Sequence, residues 1–272
     1  QLTAVLVGLC FFSSMVITND VSLLTFVPFT FVVVNSLDAA VRDKLLLPIV
    51  CMQTIAANLG SMLTPLGNPQ NLYLYGKSGM DMGSFVLLML PYSILSLALL
   101  ALWAVGLCRR GAKISMAHSA AAASPNKALL SLYSILFVLC LLVVLRVLPY
   151  GIAFAAVLAC VLLADRNTLC RVDYSLILTF VALFIFIGNL GRFAAFSGWL
   201  QHILTGHEVL VSVLASQVTS NVPAAILLSG FTENIRALII GTNLGGLGTL
   251  IASMASLISY REIAREFPLQ KS

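Results

Sequence analysis

The stretch "ANLGSMLTPLGNPQN", Ala57–Asn71, decides how this chain is read. It gathers three Asn, two Gly, two Pro, a Ser, a Thr and a Gln in the middle of an otherwise apolar sequence. The surroundings make this costly. The chain has 272 residues, 60% of them hydrophobic and only 9% charged, with a mean hydropathy of +1.03. Soluble domains carry roughly 25% charged residues, so too little polar surface exists here to face water. The expected solvent is a bilayer.

Apolar runs at Phe85–Leu107, Leu129–Leu148, Gly151–Ala164 and Tyr174–Ile187 approach or reach the length that crosses about 30 Å of hydrocarbon. The fold class expected is therefore an all-α polytopic membrane protein. The net charge of +5 matches basic cytoplasmic loops and calls for no nucleic-acid partner. Six Cys show no paired spacing, and His118, His202 and His207 are scattered without an HExxH, so no metal centre or disulfide framework is expected. No GxSxG elbow is present either, and the chain is not expected to be an enzyme.

Charges set the expected sidedness. Arg109, Arg110, Lys113 and Lys127 bracket "ISMAHSAAAASPN" without an acid, which makes residues 108–128 a cytoplasmic linker. Counting from it gives spans at 84–107, 129–148, 151–164 and 174–190, and a cytoplasmic C-terminus. Arg146, Arg192 and Arg236 fall near span ends, where long side chains reach the headgroups.

Two stretches are too short to span. Leu2–Ile17 and Val21–Val34 flank Thr18-Asn19-Asp20, and each arm reaches only about 21–24 Å at 1.5 Å per residue. A re-entrant hairpin over 1–35 with Asp20 at its tip satisfies length and sidedness together. A continuous helix would instead put an ionised carboxylate in lipid, at about 3 kcal/mol or more. Residues 193–232 repeat the arrangement around Thr219-Ser220-Asn221.

Each hairpin precedes an interrupted span, at 45–75 and at 236–260. "ITNDVSLLTFVPF" corresponds to "VTSNVPAAILLSGF", and "ANLGSMLTPLGNP" to "TNLGGLGTLIAS", sharing Asn58–Gly60 and Asn243–Gly245. The hairpins enter from opposite sides, so residues 1–107 and 129–272 form an inverted repeat. Paired, polar-interrupted segments of this kind point to a transporter's solute site.

Backbone at membrane depth survives unpaired only where it is buried or lines a wet cavity. The glycines at 60, 67, 241, 245, 246 and 248 admit unusual dihedrals or close approach, while Pro65 and Pro69 stop the helical ladder. Freed carbonyls, with the amide oxygens of Asn58, Asn68 and Asn243, suit a small cation. Helix N-termini at the breaks and tips suit an anion. Asp20, as an intramembrane acid, is a functional candidate by default. Thr64, Gln70 and Asn71 either line the site or satisfy backbone; the sequence leaves both open.

"TNDVSLLTFVPF", "GNPQNLYLY", "SNVPAAILLSGF" and "GTNLGGLGTLIAS" resemble the ion-transporter superfamily of secondary permeases. The wording is closer to its citrate-transporter-like and arsenite-permease branches than to the divalent-anion:sodium symporters, which usually carry Ser-Asn-Thr at both tips. The resemblance implies an elevator-like alternating-access movement, a small anionic substrate, Na⁺ or H⁺ as the coupling ion with no other cofactor, and often a homodimer. It implies substrate contacts from Thr18, Asn19, Asp20, Asn68, Thr219, Ser220, Asn221 and Val222. Cation contacts would come from Asn58, Gly60, Ser61, Asp20, Asn243, Gly245 and Gly246. Family members usually have scaffold helices before the first hairpin and a further crossing after the second break, so the chain is expected to be a fragment.

The function expected is Na⁺- or H⁺-coupled transport of a carboxylate or an arsenite-type oxyanion across a bacterial-type inner or plasma membrane. A cation/proton antiporter and an anion channel with re-entrant loops are the alternatives.

Overall fold

The computed structural model describes residues 2–35, 37, 39–108, 127–170, 172 and 174–266. Nearly all of the linker expected at 108–128, and the chain after residue 266, lie outside them. Among the described residues there is helix and no strand. Three helices are long and apolar enough to cross a membrane, over Val41–Ser61, Met82–Gly106 and Lys127–Val144, and a bent pair, Ile177–Leu190 with Ala194–Leu204, would make a fourth.

The chain divides into two compact units. The first holds Gln1–Ala117 and Phe186–Ser272. Its N-terminal part is α1 (Leu2–Ser13), α2 (Asn19–Asn35), α3 (Ala39–Ser61), α4 (Pro69–Ser78) and α5 (Met82–Cys108). The second unit, His118–Ile185, contains α6 (Lys127–Val144), α7 (Tyr150–Ala164), the short α8 (Arg166–Leu169) and most of α9 (Tyr174–Leu190). The C-terminal part of the first unit continues with α10 (Ala194–Leu204), α11 (Glu208–Thr219), α12 (Asn221–Leu228), α13 (Ile235–Leu244) and α14 (Met254–Glu266).

Packing in the first unit centres on α3. Helices α1 and α2 lie against each other and against α3, and α5 packs on α1 and α3. In the C-terminal part α11 packs on α12 and α13. The two parts interlock, because α4 lies against α12 and α13 while α14 lies against α2 and α3. Leu23, Val27, Ile49, Met52, Ala56 and Met62 are fully enclosed in this core.

Helix ends follow local chemistry. The side chain of Asn68 accepts from the Asn71 N–H, Pro69 occupies the first turn of α4, and Gly79 closes that helix at φ 70°, the left-handed position that favours glycine. Asp81 opens α5: its carboxylate accepts the Ser84 N–H at 3.0 Å and the Ser84 hydroxyl at 2.6 Å. These bonds hold the exposed Asp81 carboxyl below its ordinary range.

Exposed large side chains are apolar along α5, α6 and α7, including Leu87, Ile94, Leu99, Leu102, Ile135, Phe154 and Leu163. Such surfaces suit hydrocarbon and not water. Many of the polar side chains that the composition does provide lie inside, among them Asn19, Gln53, Asn58, Asn68, Asn71, Asn221 and Asn243.

Candidate functional site

The buried amides meet where two turns approach two helix breaks. The first turn, residues 14–18, joins α1 to α2. Thr18 caps α2, its carbonyl accepting the Ser22 N–H at 3.0 Å and its hydroxyl the Val21 N–H at 3.4 Å. Asn19 N–H donates to the carbonyl of Gly67 at 2.9 Å, which pins the turn to the break between α3 and α4. Its side chain donates to Asn58 Oδ1 at 3.1 Å. Asp20 stands in the first turn of α2, where the helix N-terminus favours a negative charge.

The second turn, between α11 and α12, makes the corresponding contact. Asn221 N–H donates to the carbonyl of Ala252 at 2.9 Å, in the break between α13 and α14. The match extends further. Asn58 precedes Gly67 by as many residues as Asn243 precedes Ala252. Thr64 Oγ1 donates to the Met15 carbonyl at 2.5 Å, and Thr249 Oγ1 to the Gln217 carbonyl at 3.0 Å. A Cβ on Gly60 would overlap the Phe11 carbonyl and lie 2.6 Å from Ser14 Oγ; one on Gly245 would lie 2.7 Å from Ser216 Cβ.

Three further contacts cross between the parts. Ser253 Oγ donates to Asn58 Oδ1 at 2.9 Å. Asn68 Nδ2 approaches Asn243 Oδ1 at 3.4 Å, and Asn243 Nδ2 donates to Asn71 Oδ1 at 2.5 Å. Ser253 and Asn68 each immediately precede the helix that follows a break.

The predicted residues separate into groups. Asn19, Asn58, Ser61, Asn68 and Asn243 join one buried network, with Ser61 Oγ accepting from Asn68 Nδ2 at 3.0 Å. Asn221 comes beside the second break, its Nδ2 lying 3.1 Å from where a Gly246 Cβ would stand. Thr219 is exposed, and its hydroxyl turns back to the Ala215 carbonyl at 2.9 Å. The first Asn-Leu-Gly triplet lies in the last turn of α3, while in the second Asn243 and Leu244 end α13 and Gly245 caps it; the breaks cover residues 62–68 and 245–253. Gly60 and Gly245 therefore serve close helix packing, and of the glycines singled out only Gly248 has a positive φ, 128°.

Ser220 has φ 76° and ψ 153°, a region essentially restricted to glycine and costing of order 1–3 kcal/mol for another residue. The strain sits at the second turn, where Ser220 Oγ and Asn221 N–H both point to the Ala252 carbonyl.

Sequence reasoning left Asn71 and Gln70 open, and their surroundings differ. Asn71 Nδ2 faces the carbonyls of Ser61, Met62 and Thr64 at 3.3, 3.5 and 3.2 Å, so this amide satisfies backbone. Gln70 is 1% exposed, yet neither end of its amide has a hydrogen-bond partner among the described residues; the same holds for Asp20 Oδ1. Buried polar atoms are rarely left this way unless water or a ligand completes them.

Gln217 was missed. Its Nε2 donates to the carbonyls of Gly245 and Leu247 at 2.7 and 2.8 Å, and its Oε1 accepts the Thr249 N–H at 3.0 Å. A lone amide within apolar α11 was its only signal. Among the described residues no cluster of His, Cys, Asp or Glu could hold a metal ion.

A cavity of about 470 Å³ opens beside α3 and the second break, lined by Cys51, Thr54, Leu247, Ser256, Ser259 and Tyr260 among others. Its volume suits a small ligand, but no cationic side chain lines it. The amide network is the better candidate for an anion.

Residues 1–243 match the family model described as citrate transporter. The chain belongs to that family. An uncharacterized transporter of Methanocaldococcus jannaschii is 34% identical over 258 residues, covering 94% of this chain and 69% of the relative. The inner membrane protein YbiR of Escherichia coli K12 is 31% identical over 251 residues, covering 90% of this chain and 65% of the relative. This member of the citrate transporter family thus spans about two thirds of the length of these two relatives. Family and apolar helices together make it an integral, multi-pass membrane protein.

Proposed function

We propose that this chain forms the solute-holding part of a secondary transporter that moves a citrate-type carboxylate, or a related oxyanion, by alternating access. The observation that carries the reading is the set of matched contacts: Asn19 with Gly67 and Asn221 with Ala252, joined by the crossed pairs Asn58–Ser253 and Asn243–Asn68. An inverted repeat of two hairpins, each paired with a broken helix, accounts for them. Interrupted segments in corresponding positions are where transporters hold solute and coupling ion.

In this reading the anion sits between the two turns, facing the positive dipole ends of α2 and α12. Thr18, Asn19, Ser220 and Asn221 supply contacts from the turns, and Asn68 from the first break. Gln70, with an unpaired donor and acceptor, suits a solute carrying both a carboxylate and a hydroxyl. Asp20 links transport to Na⁺ or H⁺, because binding a cation or proton at an intramembrane acid changes the local charge that an anion meets.

Uptake into proteoliposomes tests this with the full-length protein, using citrate, succinate, sulfate and arsenite under imposed Na⁺ or H⁺ gradients. Saturable, gradient-driven uptake of one of the anions with counterflow is expected. Large single-channel currents without counterflow would replace the carrier with a channel.

A further inference from the structure

The carbonyls released at the two breaks are the natural ligands for a small cation, yet amide nitrogen already faces them. At the first break, Asn71 Nδ2 stands within 3.5 Å of the Ser61, Met62 and Thr64 carbonyls. At the second, Gln217 Nε2 stands within 2.8 Å of those of Gly245 and Leu247. The orientation of each amide is fixed from its other end. Asn71 Oδ1 accepts from Asn243 Nδ2 at 2.5 Å, and Gln217 Oε1 accepts from Thr249 N–H at 3.0 Å. Turning either amide over would set oxygen against carbonyl oxygen.

We propose that Asn71 and Gln217 are resident plugs, whose N–H groups occupy the carbonyl cages of the two breaks and keep monovalent cations out of them. An amide NH₂ carries two protons. Gln217 meets two carbonyls and matches them one to one, while Asn71 meets three and leaves that cage incompletely paired. Both are positioning residues: they hold the break loops in shape without touching solute. The plugs also arrive from different directions. Asn71 belongs to α4, which continues its own break, whereas Gln217 reaches across from α11. Gly248, at φ 128°, leaves room for Gln217, since a Cβ there would lie 2.5 Å from Oε1.

The consequence bears on the transport reading above: cation coupling at the break carbonyls is closed, and any coupling ion acts at the turns. Isosteric replacement reverses the chemistry. In Asn71→Asp and Gln217→Glu an anionic oxygen takes the place of the nitrogen and completes a hard-oxygen set of the kind small cations bind.

The experiment measures the thermal midpoint of the purified full-length protein in detergent, in NaCl against choline chloride at equal ionic strength. With Asp20 replaced by Asn, so that no ion held at the turns contributes, the protein is expected to show the same Tm in both salts. The isosteric variants are expected to lose stability in choline and to gain about 4 °C or more in NaCl, as linkage to a bound ion requires. Folded isosteric variants indifferent to Na⁺ would overturn the proposal, as would an Asp20→Asn protein that Na⁺ raises as much as it raises Asn71→Asp. Asn71→Ala and Gln217→Ala remove the donor without adding charge, and are expected to recover part of their lost stability in NaCl. If every variant at Asn71 and Gln217 fails to fold, Asp20→Asn decides alone: a flat response supports the plugs and a rise refutes them. Because stability rather than uptake is read, failure of the plugs and failure of the transport reading are separable.

Discussion

Residues 2–78 and residues 208–266 build the same contacts with different chemistry. In both, a turn donates an Asn backbone N–H to a break, a Thr in the break bonds back to the carbonyl four residues before that Asn, and a glycine lets the preceding helix approach. The first turn is Thr-Asn-Asp, relaxed and capped by Thr18. The second is Thr-Ser-Asn, strained at Ser220 and without an acid. Shared geometry thus carries the frame, while the departures from it mark where the two parts differ in task. The acid, Asp20, belongs to the first turn. Stored backbone strain belongs to the second.

The largest effect is expected at the crossed amides. Asn243→Leu strands Asn71 Oδ1 in the interior and leaves Asn68 Nδ2 with Ser61 Oγ alone, and each unsatisfied group costs about 1–3 kcal/mol. Asn58→Leu strands the donors of Asn19 and Ser253. By these per-group costs Asn58→Leu should lose roughly 2–6 kcal/mol and Asn243→Leu roughly 1–3 kcal/mol, read by chemical unfolding in detergent, and a loss from only one of them would break the equivalence. Next, Gly60→Ala and Gly245→Ala should differ in degree, because a Cβ on Gly60 would overlap the Phe11 carbonyl oxygen, whereas one on Gly245 would meet Ser216 Cβ and the Gly241 carbonyl at 2.7 and 2.9 Å. Overpacking costs about 1–3 kcal/mol, with Gly60 at the upper end.

Asp20→Asn should lower coupled uptake at least tenfold or flatten its dependence on pH while leaving membrane insertion intact; unchanged uptake at every pH removes Asp20 from coupling. Ser220→Gly should stabilise by about 1 kcal/mol, the low end of the relieved strain. Thr18→Gly should instead destabilise by a few tenths, through the lost cap. Equal signs for these two would erase the contrast between the turns.

The smallest effect concerns Lys77, whose ammonium donates to the carbonyl and hydroxyl of Ser229. Burial lowers its pKa, with Glu233 opposing. An ammonium whose folded pKa lies below its unfolded value penalises the folded state at lower pH. Stability should therefore rise slightly as pH climbs through the alkaline range toward 10.5, and Lys77→Met should remove that slope.

The legible part of this molecule was set by composition and spacing. Hydrophobic length located α5, α6, α7 and α9, and the doubled Asn-Leu-Gly pattern drew attention to both breaks. The break boundaries moved by several residues, because Asn58 and Asn243 can remain helical while their side chains bond outward. A sequence shows that an amide is buried in apolar surroundings, but not which carbonyl it reaches. Gln217 and Ser253 were invisible for that reason, since their partners in the second break and in α3 lie far along the chain. Asn71 and Gln70 are neighbours of similar chemistry, and only the direction each side chain takes distinguishes a satisfied amide from an open one.

The crossed pairs Asn58–Ser253 and Asn243–Asn68 have a mechanical consequence. Each break is buttoned to the opposite half of the fold by a side chain standing at the threshold of the next helix. Neither half can slide past the other without undoing both buttons in the dry interior. A stroke across the bilayer would then carry the two breaks as a single piston, with the flexing left to segments outside it.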